Sequence, residues 1–62
     1  MLTNKDKAQL LRDAIELLEQ ADALQRRALG DTDVGDSNHE LIMDVVEEFV
    51  ADIVDFEDGE AV

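Results

Sequence analysis

Residues 30–37 read GDTDVGDS, a run of Gly, Asp, Thr and Ser around a single valine, and helical apolar spacing resumes on either side of it. Such residues favour turns, because glycine tolerates unusual backbone angles while Asp, Ser and Thr side chains bond to their own backbone. An eight-residue connection lies at the upper end for neighbouring helices, so the flanking segments are expected to pack antiparallel. Ser37 followed by Glu40 has the S-x-x-E form of a capping box and stands just before an apolar run. The second helix is therefore expected over about residues 38–56, with a loop at 30–37 and a first helix at about 4–29.

Upstream of the turn, Leu10, Ala14, Leu17, Ala21, Leu24 and Ala28 recur at steps of four and three, and Leu11, Ile15, Leu18 and Leu29 widen the stripe. Alternating Leu with Ala leaves room for a large side chain opposite each small one, so this seam is expected to receive a neighbouring helix. Thr3 is placed to cap the start with Asp6 in the first turn, and Arg26 and Arg27 precede Gly30, a candidate C′ residue. Downstream, Ile42, Val46, Phe49, Ile53 and Phe56 repeat the same spacing, flanked by Leu41, Val45, Val50 and Val54. Valine and isoleucine favour strands, but IMDVVEEFVADIVDF groups its charged and apolar residues in pairs where a half-buried strand alternates them. The acidic tail, residues 57–62, has no periodicity and puts negative charge at the unfavourable end of a helix dipole, so it is expected to fray.

The fold class expected is all-α: a single-domain, two-helix antiparallel hairpin. A chain of 62 residues without cysteine has no disulfide to stabilise it and buries a small share of its surface alone. Two helices hide the centre of each other's stripe but leave its flanks wet. Pairing two hairpins into a four-helix-bundle homodimer would cover those flanks. The residues expected to build the core and dimer interface are Leu10, Leu11, Ala14, Ile15, Leu17, Leu18, Ala21, Leu24 and Ala28 from helix 1, with Ile42, Val45, Val46, Phe49, Val50, Ile53 and Phe56 from helix 2.

In length, two-helix pattern and acidic tail the chain resembles Rop, a small plasmid-encoded RNA-binding helical protein. The resemblance implies a hairpin dimer with RNA on the face made by both first helices, where Lys5, Lys7, Gln9 and Arg12 lie among the polar positions here. It rests on no specific motif, and no functional residue is transferred by it.

The formal net charge is -12. All five cations fall within residues 1–30 beside five acids, whereas residues 31–62 hold twelve acids and no Lys or Arg. That field repels phosphate backbones and anionic lipid and attracts a basic protein surface, so nucleic acid is disfavoured as a partner and a basic protein favoured. Asp44, Glu47, Glu48, Asp52 and Asp55 are expected on the polar side of helix 2 as a candidate partner-binding face, with solvation as the plain alternative. No apolar run approaches membrane-spanning length and no leader is recognised, so a cytoplasmic protein is expected.

Catalytic chemistry finds little support. His39 is the sole imidazole and is expected to be an exposed first-turn residue, with Ser37 beside it explained by capping. Residues 31–42 imitate a calcium loop through alternating Asp31, Asp33, Gly35, Ser37 and His39, but Asp36 stands where glycine is required and Ile42 where a bidentate Glu is required. No phosphate cradle, HExxH or Glu-x-x-His spacing occurs. The expectation is a non-enzymatic chain with no cofactor and no metal, acting as a homodimeric interaction or regulatory module, an adaptor or inhibitor of a basic partner. The alternatives are an RNA-binding hairpin dimer or an inhibitor that mimics nucleic acid.

Overall fold

The computed structural model describes residues 1–61, with the side chains of residues 60 and 61 left aside. Two helices, α1 (Asn4–Leu29) and α2 (Asp33–Ala61), form an antiparallel hairpin of 47 × 16 × 13 Å. Thr3 starts α1 with a reciprocal box: its Oγ1 accepts the Asp6 N–H at 3.1 Å, and Asp6 Oδ2 accepts the Thr3 N–H at 3.2 Å. Arg26 and Arg27 occupy the last turn, where cations complement the exposed carbonyls. Gly30 is the C-cap itself and keeps right-handed angles (φ -61, ψ -21), so it is not a left-handed C′ glycine.

The connection is shorter than the composition of GDTDVGDS implies. Thr32, not Ser37, caps α2: its Oγ1 donates to the Leu29 carbonyl at 2.7 Å and accepts the Gly35 N–H at 3.2 Å. Asp33 and Asp36 then lie in the first turn, at the positive end of the helix dipole. Ser37 and Glu40 are left exposed within the helix, and the expected box at those positions does not start it.

Gly35 is buried against the turn, and a Cβ there would collide with the Leu29 carbonyl. A glycine inside a helix costs about 0.5–1 kcal/mol against alanine. Here it lets the start of α2 lie directly on the end of α1, which makes the tight reversal possible.

At the other end α2 runs to Ala61, past the expected stop near Phe56. No proline interrupts EDGEA, and contacts with α1 extend along this segment. Glu57 pairs with Arg12, and the Cα of Gly59 comes so near the start of α1 that a Cβ would lie 3.2 Å from Asn4 Nδ2. The fraying expected for residues 57–62 is therefore not seen as far as Ala61; Val62 lies outside the described residues.

The seam between the helices follows the expected register on α2 and departs from it on α1. Val46 and Ile53 are buried, with Ile42, Phe49 and Phe56 half-buried along the same line. On α1 the line facing them is Ala8, Leu11, Ile15, Leu18, Asp22 and Gln25, and Ala8 and Asp22 are its buried members. Leu10, Leu17, Ala21, Leu24 and Ala28, expected at the centre, are exposed in the hairpin, while Ala14 is half-buried at the edge. Val45 and Val50 on α2 are exposed as well.

Candidate functional site

Three features of the hairpin could support function: a polar cluster near the turn, the carboxylates of α2, and the uncovered apolar residues of α1.

The polar cluster comes from Asp22 and Gln25 on α1 and Asn38 and His39 on α2. Both helices continue their seam spacing into these positions, so the side chains meet where apolar ones meet further along. His39 Nδ1 lies 2.7 Å from Asp22 Oδ2. Gln25 Nε2 donates to Asp22 Oδ1 at 3.0 Å and to the Gly35 carbonyl at 3.1 Å, while Asn38 Nδ2 donates to Gln25 Oε1 at 3.3 Å.

Burial alone would raise the Asp22 pKa. The hydrogen bonds from Gln25 and His39, with the charges of His39 and Arg26, outweigh that effect and hold the carboxyl below its ordinary value. An ionised carboxylate only accepts hydrogen bonds, so the His39 proton facing it sits on Nδ1. The cluster thus pins the helices together beside the turn and fixes their register.

His39 is half-buried and bonded to Asp22, not the exposed first-turn residue expected from sequence. The cluster is hidden in the sequence because Asp22 and Gln25 look like surface residues of α1. The available signal was the step from Ile15 and Leu18 to Asp22 and Gln25, which keeps the four-three rhythm.

Asp44, Glu47, Glu48, Asp52 and Asp55 are all exposed and spread around the side of α2 turned away from α1. They do not converge on a shared centre. Among the described residues no group of three or more His, Cys, Asp or Glu is arranged to hold a metal ion, and no pocket forms.

The first-helix cations are partly committed within the hairpin. Arg12 pairs with Glu57, and Lys7 Nζ stands 5.6 Å from the Phe56 ring centroid.

The largest chemical resource is apolar. Leu10, Leu17 and Leu24 are 54%, 64% and 65% exposed, and Leu41 on α2 is 64% exposed. Among the described residues no large side chain is fully buried. A folded 6.9 kDa chain typically has an accessible surface of about 4,000 Å²; this hairpin has 4760 Å². Its radius of gyration of 14.3 Å likewise exceeds the roughly 11 Å of a compact domain this size.

These features define a slender all-α hairpin with an incomplete core. No family model, curated protein or solved structure matches the chain. No described helix is long and apolar enough to cross a membrane.

Proposed function

We propose that the chain is a small acidic protein-interaction module that works as a homodimer. Two hairpins form a four-helix bundle, and the outward carboxylates of α2 engage the basic surface of a protein that the dimer recruits or inhibits. The observation that carries this is the row of exposed leucines on α1. Leaving the exposed half to two-thirds of such a side chain in water forgoes about 1–2 kcal/mol of burial, and a 62-residue hairpin has few other sources of stability. The surface in excess of a compact chain, roughly 760 Å², is close to the 800 Å² or so that each partner contributes to a standard interface.

Charge supports the second half of the proposal. Asp44, Glu48, Asp52 and Asp55 recur at steps of three and four without a Lys or Arg in α2. Each like-charged pair one turn apart costs a few tenths of a kcal/mol, and a cationic partner would relieve that cost. The alternative of RNA bound along α1 has less behind it, because Lys7 and Arg12 already engage α2 and the rest of the chain repels phosphate. No catalytic role is proposed.

Sedimentation equilibrium at micromolar concentration tests the dimer. Interference optics suit the measurement because the chain has no Trp or Tyr to absorb near 280 nm. A mass near twice 6.9 kDa is expected, and a folded species at 6.9 kDa throughout would overturn the proposal. For the acidic face, a basic partner should copurify with the parent at low salt and be lost from the Asp44→Asn/Glu48→Gln/Asp52→Asn/Asp55→Asn variant. Equal retention by both, at unchanged helicity and mass, would remove the carboxylates from the account.

A further inference from the structure

We infer that Leu10, Ala14, Leu17, Ala21, Leu24 and Ala28 receive the same stripe of a second copy of this chain, α1 against α1 and antiparallel, about a twofold axis near Glu19. The inference rests on the homodimer reading and adds to it the face and the orientation.

At about 100° per residue, Leu17 lies roughly 100° around α1 from Leu18 in the seam with α2. Arg12, which reaches Glu57, marks the opposite side of the helix. The stripe is therefore directed away from that ion pair and uncovered by α2, at right angles to the existing helix contact. A second helix placed there gives the square arrangement of a four-helix bundle. The hairpin register brings exposed Val34, Leu41 and Val45 of α2 to the same side, so the second copy would cover them too.

The orientation follows from two separate matches. Antiparallel superposition about Glu19 sets Leu10 over Ala28, Leu17 over Ala21 and Leu24 over Ala14 of the second copy. Every large residue meets a small one, along roughly 27 Å of helix. Parallel superposition would stack leucine on leucine and alanine on alanine, crowding some layers and leaving holes in others.

The second match is electrostatic. Asp13 and Arg27 border the stripe on the side away from α2, two turns either side of Gln20. Antiparallel pairing brings Asp13 opposite Arg27 of the second copy, twice by symmetry. Parallel pairing would oppose each to its own kind. Asp13 is exposed and accepts only the Gln9 amide, at 3.1 Å, among the hydrogen bonds seen for it.

Thiol cross-linking tests the geometry, since the chain has no cysteine of its own. Gln20→Cys lies beside the twofold axis, whereas Gln9→Cys lies about 30 Å from its symmetry mate. With a short bis-maleimide at micromolar protein, Gln20→Cys should cross-link roughly 100-fold faster than Gln9→Cys, given a millimolar effective concentration at the axis. Equal, fast linking at both sites would mean parallel pairing. A sedimenting dimer that links at neither would refute this face while leaving the homodimer intact, and a monomeric parent would refute the homodimer itself. In parallel, Asp13→Arg and Arg27→Asp should each weaken self-association several-fold, and the double swap should restore it. Further weakening in the double swap would overturn the register.

Discussion

Replacing Leu17 by Asp separates a hairpin that stands alone from one that is half of a bundle. In the single hairpin Leu17 is 64% exposed, so the change removes little packing and costs at most about 0.7 kcal/mol in helix propensity. In the proposed dimer the exposed two-thirds would be covered, a contribution of about 1–2 kcal/mol per leucine. The site occurs twice, so about 2–4 kcal/mol of association free energy is at stake, which raises the dissociation constant roughly 30- to 700-fold. Placing an unpaired carboxylate at each site only adds to this. The assay is a sedimentation velocity series over three decades of concentration, with circular dichroism on the same samples. The parent and Glu47→Gln should show the same dissociation constant, and Leu17→Asp a much larger one. Identical self-association of Leu17→Asp and parent would refute the assignment of this face.

Other expected outcomes concern the hairpin itself. Ile53→Ala, at a position only 7% exposed, should lower unfolding free energy by about 2–3 kcal/mol in urea titration, near the low end for core truncation because so thin a structure relaxes readily. Val54→Ala, 47% exposed next to it, should stay within about 0.5 kcal/mol of the parent. Gly35→Ala sets helix propensity against space: propensity favours alanine by about 1 kcal/mol, but the collision with the Leu29 carbonyl should make the variant less stable by thermal unfolding.

Asp22→Asn should lose stability chiefly above about pH 4. The folded-state pKa of Asp22 lies below its unfolded value, so the ionised carboxylate contributes above the unfolded pKa, and that contribution fades as pH falls through the folded value. The parent-minus-variant difference in urea stability should therefore be larger at pH 7 than at pH 3. A difference independent of pH would mean that the Asp22 charge does not act through its bonds to His39 and Gln25.

Much of this architecture was legible in sequence, and the departures have physical causes. On α2 the seam Ile42, Val46, Phe49, Ile53 and Phe56 is continuous and apolar, so periodicity located it directly. On α1 the regular Leu–Ala row overshadowed the true contact line, which turns polar at Asp22 and Gln25 where the cluster with Asn38 and His39 forms. Periodicity identifies which residues share a face, but it does not say which of two adjacent apolar faces the nearer helix takes.

The turn departs from its sequence pattern for a related reason. Two capping residues stood five positions apart, Thr32 and Ser37, and the fuller motif belonged to Ser37. Gly35 decided between them, because its missing side chain allows the chain to reverse at Gly30–Thr32 and start α2 at once.

In the proposed dimer the hairpin's stability is inseparable from pairing, and the concentration dependence of urea unfolding reads this out. If folding and association are one equilibrium, raising the protein concentration 100-fold adds about 2.7 kcal/mol of apparent stability per dimer, and the unfolding midpoint moves to higher urea. The parent should show that shift, and Leu17→Asp a midpoint at lower urea at every concentration. A parent midpoint that stays fixed from micromolar to hundreds of micromolar, with the chain folded throughout, would contradict the dimer.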